Sequence, residues 1–207
     1  SADPAVMKEA RKRFAARLER EQRKSVPDFL YPKLVSLEGG RPRIKDEPPL
    51  IFHPSTELTP ELASGYAEAI ASYRTSLPEH IQMLFDRFHF FDLAAKVVGV
   101  GSVGTFCTIG LFMAADDDPL FLQIKEARAS VLEPYAGKSR HANHGQRVVV
   151  GQRLMQTASD VFLGWTRGKN GRDVYVRQLR DMKMSAVIED WDSAMLRHYS
   201  RMCAHAL

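Results

Sequence analysis

The sequence has little cysteine and no apolar run at its amino end. Its two cysteines, Cys107 and Cys203, are too few for the disulfide framework that small secreted domains use. Residues 1–24 are rich in charge, so they do not resemble a signal peptide. These absences argue against a secreted protein and predict a reduced, cytoplasmic setting.

Long hydrophobic segments are also scarce. One segment, residues 97–115, contains no charge over 19 residues, close to the length that crosses a bilayer. It holds four glycines and several hydroxyl groups, and its β-branched and aromatic residues favour strands. A buried hairpin is therefore predicted here, and no membrane partner is expected.

The net charge of +4 is concentrated at the amino end. Residues 1–24 hold eight Lys or Arg against four Asp or Glu, while the remainder holds 21 of each sign. Asp3 and Pro4 predict the start of a helix whose outer face is basic. Such a face fits nucleic acid or acidic lipid, but it is more often simply solvated. Nucleic acid is therefore not the expected partner.

Proline and apolar periodicity divide the chain into three parts. Residues 1–90 are predicted to be mainly helical, with an irregular proline-rich connector over residues 25–60 that contains at most a short helix at 28–37. The connector is followed by two further helices, one on each side of Pro78. Residues 91–184 form a β-rich lobe with one helix. Residues 185–207 are predicted to form a continuous amphipathic helix that leads to a missing segment.

The stretch KVVGVGSVGT at residues 96–105 is the strongest candidate motif. Gly99, Gly101 and Gly104 form the pattern G-x-G-x-x-G, which two phosphate-binding devices share. In dinucleotide-binding folds a helix follows the glycines, but residues 105–112 here favour a strand. In kinase-like proteins the glycines bend an antiparallel hairpin, and a lysine on the next strand reaches the phosphates. The competing interpretation is a tight turn without a ligand.

The segments after the glycines follow the kinase-like order. Phe106 and Gln123 stand where the kinase pattern has Val and Ala. The predicted fold class is α+β: an antiparallel sheet of the kinase-like small-lobe type, flanked by α-helices. The predicted elements are a strand carrying Lys125, a helical turn at 127–132 that ends before Pro134, a helix at 146–159, a strand at 161–165, an Asn-Gly hairpin turn at 168–171 and a strand at 174–179.

Six phrases of the sequence are specific: KVVGVGSVGT (96–105), QIKEA (123–127), GQRVV (145–149), GQR (151–153), SDVFLGW (159–165) and YVRQLRDMK (175–183). They resemble an uncharacterised bacterial family called domain of unknown function 2252, which residues 1–90 resemble only loosely, as helices. Full-length members of that family are longer. Upstream of this region they carry Gly-Asp-Ala-His and Asn-Asp-Phe-Asp segments similar to the catalytic and metal-binding loops of aminoglycoside phosphotransferases. Neither segment occurs in the 207 residues, so a fragment is expected.

The resemblance implies that the chain is the ATP- and magnesium-binding lobe of a kinase-like phosphotransferase. As a fragment, it would lack the catalytic loop of that enzyme. Lys125 would neutralise phosphate charge, and Glu133 is the preferred partner because Glu126 lies on the other face of the strand. Residues 177–181 would be the hinge that meets the adenine. The alternative is a non-enzymatic scaffold or interaction protein. The predicted nucleotide-binding residues are Gly99, Gly101, Ser102, Gly104, Lys125, Glu133 and Gln178; no catalytic or metal-binding residue is predicted.

Overall fold

The computed structural model describes residues 31–54, 60–97, 104–115, 118–168, 170–179 and 191–206. These residues form six helices and eight strands, which is the predicted α+β class. The helices are α1 (Tyr31–Leu34), α2 (Pro60–Thr75), α3 (Glu79–Phe85), α4 (Glu133–Ala136), α5 (His144–Met155) and α6 (Ser193–Ala206). The strands are β1 (Val35–Glu38), β2 (Arg41–Ile44), β3 (Ile51–Phe52), β4 (His89–Lys96), β5 (Cys107–Met113), β6 (Pro119–Glu126), β7 (Gly164–Arg167) and β8 (Asp173–Gln178).

The main sheet has six antiparallel strands in the order β3-β4-β5-β6-β8-β7. β5 is buried along its whole length, and β6 along most of it. Because both faces of these strands are buried, their sequences are continuously apolar and do not alternate between apolar and polar residues. β1 and β2 form a separate two-stranded ribbon.

One face of the sheet, here called the helix face, is covered by α2 and α3. It presents Phe112, Leu122 and Val176, which form a buried cluster with Tyr73 of α2 and Phe85 of α3. Full burial of such side chains contributes about 1.5–3 kcal/mol each. The helix face is therefore a major source of stability.

The opposite face, here called the hairpin face, has a second core. Ile109 and Leu111 of β5 and Phe121 of β6 are almost fully buried there, with Val35 of β1 and Ile44 of β2. Side chains alternate between the faces along each strand. Neighbouring residues of β5 and β6 therefore belong to different cores.

The glycine stretch connects two neighbouring strands. β4 ends at Lys96, and β5 begins at Cys107 and runs antiparallel to it. No helix follows Gly104: the chain bends at Thr105 and enters the strand. The predicted strand pair around the glycines is therefore confirmed, and the dinucleotide-binding alternative is wrong.

The prediction of an irregular connector over residues 25–60 is wrong for its described part, which contains three strands. Gly39 and Gly40 have φ of 57° and 78° and form the turn of the β1–β2 ribbon. Pro42 lies within β2, where an edge position tolerates a residue without an N–H. Glycine and proline thus shape a hairpin here instead of interrupting structure.

Side chains attach this ribbon to the sheet. The Ile44 N–H donates to the Asp92 carboxylate at 2.7 Å. The imidazole of His53 lies between two carboxylates, with its Nδ1 2.8 Å from Asp46 and its Nε2 3.0 Å from Asp92. Because Asp92 belongs to β4, these contacts tie the ribbon and the segment after it to the hairpin face.

Three predicted boundaries need correction. The helical turn expected at 127–132 lies at α4 instead, because Pro134 occupies the first turn of a helix rather than ending one. α5 starts at His144, not at residue 146, since the Asn143 side chain accepts from the Gln146 N–H and caps it. The strand expected at 161–165 begins at Gly164, after a turn.

The chain divides into two compact units, residues 26–181 and residues 1–25 with 182–207. In the described part of the second unit, α6 starts after Asp192, whose carboxylate accepts from the N–H groups of Ala194 and Met195. The continuous helix predicted from residue 185 is therefore wrong at residues 191–192, which are not helical.

The basic helix predicted within residues 1–24 lies outside the described residues. Within the described ranges, no helix has the length and apolar character needed to cross a membrane.

Candidate functional site

A row of polar side chains crosses the hairpin face near the glycine stretch. Cys107 of β5 is directly opposite Lys125 of β6, and Lys125 is opposite Tyr175 of β8. Lys96, the last residue of β4, shares this face by strand alternation. Cys107 is buried, and the other three are half-buried. A thiol thus lies between two lysines at the end of the sheet.

The next row adds a second polar layer. Gln123 of β6 is opposite Arg177 of β8, and its carbonyl oxygen accepts from the Arg177 guanidinium at 3.1 and 3.2 Å. The Gln123 amide donates to the Cys107 sulfur at 3.6 Å. Gln123 is only 4% exposed, and its three side-chain hydrogen bonds offset the cost of burying an amide. It holds the arginine beside the thiol.

Burial and the neighbouring charges act in opposite directions on the pKa of the Cys107 thiol. Burial raises its pKa, while the charges of Lys125, Lys96 and Arg177 and the Gln123 hydrogen bond act in the opposite direction. The pKa stays above its ordinary value, so the group is a neutral thiol near pH 7. Three cations therefore surround an uncharged centre.

Nothing in the described part of the chain neutralises two of these cations. Neither Lys125 nor Arg177 forms an ion pair with a carboxylate of the described residues. Charges grouped on a surface with low-dielectric walls raise the local concentration of ions of opposite sign. This end of the hairpin face therefore attracts anions.

The end of the glycine stretch is held by a separate set of contacts. The Glu126 carboxylate accepts from the Phe106 N–H at 2.9 Å and from Arg128 at 2.8 Å. Arg128 also donates to the Gly104 carbonyl at 2.6 Å. These hydrogen bonds, first that from Arg128, lower the pKa of Glu126, which is ionised at neutral pH. Glu126 thus anchors the loop, and it is not the partner of Lys125.

The model of domain of unknown function 2252, described as an uncharacterised protein conserved in bacteria, matches residues 1–207. The chain belongs to this family. The match includes residues 1–90, for which only a loose likeness was predicted. No curated protein and no solved structure gave a match.

The structure of this family member describes only some of the predicted nucleotide-binding residues. Gly99, Gly101 and Ser102 lie outside the described residues. Gly104 is described and exposed, with φ of 75°, a conformation that favours glycine. Lys125 lies on the hairpin face, at the end of the sheet where β5 leaves the glycine stretch.

Two other predicted residues are engaged elsewhere. Glu133 starts α4 and accepts from the Ser130 N–H at 3.4 Å, so the expected ion pair with Lys125 is not formed. Gln178 ends β8, and its N–H donates to the Asp160 carboxylate at 2.5 Å. That N–H is therefore already used, and it is not free to meet an adenine.

Sequence reasoning did not predict Cys107 and Lys96 as site residues, and it predicted Arg177 only as part of the adenine hinge. The alternation of Gln123 and Lys125 along β6 pointed to this face, but only the register shows which residues of β5 and β8 lie beside them. Phe106, which stands at the valine position of the kinase pattern, does not join this polar group, because it lies on the helix face of the sheet.

In the described ranges, no group of three His, Cys, Asp or Glu side chains is arranged to hold a metal ion.

Proposed function

We propose that this chain is a phosphate-binding lobe that holds the polyphosphate of a nucleotide, with ATP and magnesium as the first candidate, in a kinase-like phosphotransferase. The carrying observation is the group of Lys96, Lys125 and Arg177 around the neutral Cys107 thiol. Lys125 and Arg177 can neutralise phosphate charge, and arginine can bind two phosphate oxygens at once.

The position of the glycine stretch supports the same function. It connects the two strands that supply Lys96 and Cys107, beside the strand that supplies Lys125. Backbone N–H groups of a glycine-rich loop can approach phosphate closely because no Cβ intervenes. A loop and a cation cluster at the same end of a sheet are the arrangement that phosphoryl-transfer proteins use.

The proposed lobe departs from the kinase pattern at the lysine partner. α5, the helix between β6 and the last hairpin, reads HGQRVVVGQRLM and contains no carboxylate. Gln123 and Arg177 lie beside Lys125 instead; they are joined by a charge-assisted hydrogen bond and supply no negative charge that could pair with the lysine. Binding of nucleotide, rather than turnover, is therefore the activity to test first.

The test is calorimetric titration of ATP, with and without magnesium, into the 207-residue chain. Lys125→Ala should weaken ATP binding about tenfold, because one charge-assisted contact to phosphate is lost. Arg177→Gln should act similarly. AMP should bind more weakly than ATP to the wild-type chain, since it offers less phosphate charge.

The matched control is Lys138→Ala, which removes an exposed lysine from the loop before α5. Its affinity for ATP should equal that of the wild type. If ATP gives no saturable signal, or if Lys125→Ala binds as tightly as the control, the nucleotide site is refuted. The scaffold alternative would then be preferred.

A further inference from the structure

A cavity of about 530 Å³ lies on the helix face, between α2 and the sheet. It is partly open to solvent, and it is a gap where a helix and a sheet would normally pack closely. Pockets of roughly 300–1,000 Å³ are those that bind small molecules. The side chains around it are mostly aliphatic or aromatic; they include Tyr66, Ile70, Leu93, Phe112, Ile124 and Val174.

Small residues create this space. Gly65 and Ala69 of α2 face the cavity from one side, and Gly110 of β5 faces it from the other. A Cβ on Gly110 would lie 3.0 Å from the Phe112 ring. Larger side chains at Gly65 or Ala69 would narrow the space between the helix and the sheet, whereas one at Gly110 would crowd Phe112. The chain instead keeps an apolar gap beside its core.

Polar groups occur at one part of the wall. Thr166 of β7 is 6% exposed, and its hydroxyl is buried without a hydrogen-bond partner in the structure. Thr166 shares the helix face with Val174, its partner in the strand pairing, and both line the cavity. An unpaired buried hydroxyl is unfavourable, so a ligand that accepts or donates a hydrogen bond there would recover the lost interaction.

Arg172 supplies the charge. It is the single charged residue among the described residues that line the cavity, and it is exposed just before β8. Its guanidinium lies 5.7 Å from the centre of the Phe106 ring, which also lines the cavity. It forms no ion pair with a carboxylate of the described chain. A cation therefore stands beside an apolar space.

We infer that the cavity binds an amphipathic carboxylate of the fatty-acid class. The alkyl chain occupies the space between α2 and the sheet, and the carboxylate meets Arg172 and the Thr166 hydroxyl. The site is separate from the proposed nucleotide site, because Lys125 and Cys107 lie on the hairpin face. Its test therefore does not depend on ATP binding.

The experiment titrates decanoate, below its micelle concentration, and 1-decanol into the 207-residue chain by calorimetry. The wild type should bind one decanoate. Arg172→Gln should weaken decanoate about tenfold and leave 1-decanol within about twofold, since only the acid carries a charge. Thr166→Val should also weaken decanoate, while the free variant melts at a higher temperature because its unpaired hydroxyl is gone.

Filling the cavity supplies an independent variant. Ala69→Leu should weaken both ligands about tenfold, because the added side chain occupies their space. Ala67→Leu places the same residue on the exposed side of α2, and Arg140→Gln removes an exposed arginine elsewhere. Both controls should bind like the wild type. Absence of saturable decanoate binding, several molecules bound per chain, or equal losses in the controls would overturn the proposal.

Discussion

At the scale of single residues, Asp173 shows how a buried carboxylate organises its surroundings. It is 7% exposed and accepts from the His144 N–H at 2.8 Å, the Asn143 amide at 3.1 Å and the Arg167 guanidinium at 2.6 Å. The first two donors belong to the start of α5, and the third belongs to β7. One side chain thus joins a helix terminus to a hairpin.

Replacing Asp173 by Asn should lower the free energy of unfolding by about 1–3 kcal/mol, since the amide turns a donor toward groups that are themselves donors. Urea unfolding followed by circular dichroism measures the change. Asp118→Asn, at an exposed site, should stay within about 0.5 kcal/mol of the wild type. An Asp173→Asn variant as stable as this control would contradict the role assigned to the carboxylate.

The same prediction has a pH signature. Burial raises the pKa of Asp173, but the Arg167 hydrogen bond and the His144 N–H outweigh it and hold the pKa below its ordinary value. The stabilisation is therefore complete above the unfolded pKa of about 4 and is lost as pH falls through the lower folded pKa. The difference between wild type and Asp173→Asn should be constant from pH 7 to about 5 and shrink in more acidic solution.

At the scale of elements, two glycines in one helix have opposite roles. Gly145 lies in the first turn of α5, and a Cβ there would collide with the backbone carbonyl of Val174 in β8. Gly151, two turns later, has open space around it. Glycine at the first position lets the helix approach the strand closely. At the second it only lowers the intrinsic helix stability.

Gly145→Ala should therefore lower the free energy of unfolding by about 2–3 kcal/mol through overpacking against rigid backbone. Gly151→Ala should raise it by about 0.5–1 kcal/mol, because alanine favours helix and reduces the freedom of the unfolded chain. Chemical unfolding of both variants checks the pair. Equal effects of the two substitutions would show that α5 does not pack on β8 as described.

At the scale of the whole molecule, the sheet carries two proposed sites on opposite faces. Lys125 and Cys107 belong to the hairpin face, and the cavity lies on the helix face. Each ligand should stabilise the folded state by RT ln(1 + L/Kd), where L is the free ligand concentration, which is about 2.7 kcal/mol at a hundredfold excess of ligand over Kd. Sites that share no residue should act independently.

Thermal unfolding with saturating ATP and decanoate should therefore show a stabilisation equal to the sum of the two separate effects. Arg172→Gln should reduce only the decanoate part, and Lys125→Ala only the ATP part. Competition between the ligands, seen as a combined effect no larger than either alone, would mean that they share one site.

Much of this architecture was predictable from local sequence. The glycine stretch between strands, the antiparallel order after it and the Asn-Gly hairpin turn all follow from local backbone preferences. The ribbon of β1 and β2 was not recognised, because Gly39, Gly40 and Pro42 have the same composition in a hairpin as in an irregular loop. Pro134 was misread for a similar reason, since proline both ends helices and occupies their first turn.

The sequence alone determined the strand alternation that separates Lys125 from Glu126 and the family to which the chain belongs. Only the tertiary structure decided that Cys107 and Arg177 join Lys125, that Glu133 does not, and that a cavity lies behind the sheet. Alternation is a property of one strand and needs no partner. Register and packing depend on residues distant in the chain, and a shift of one residue would move every side chain to the other face.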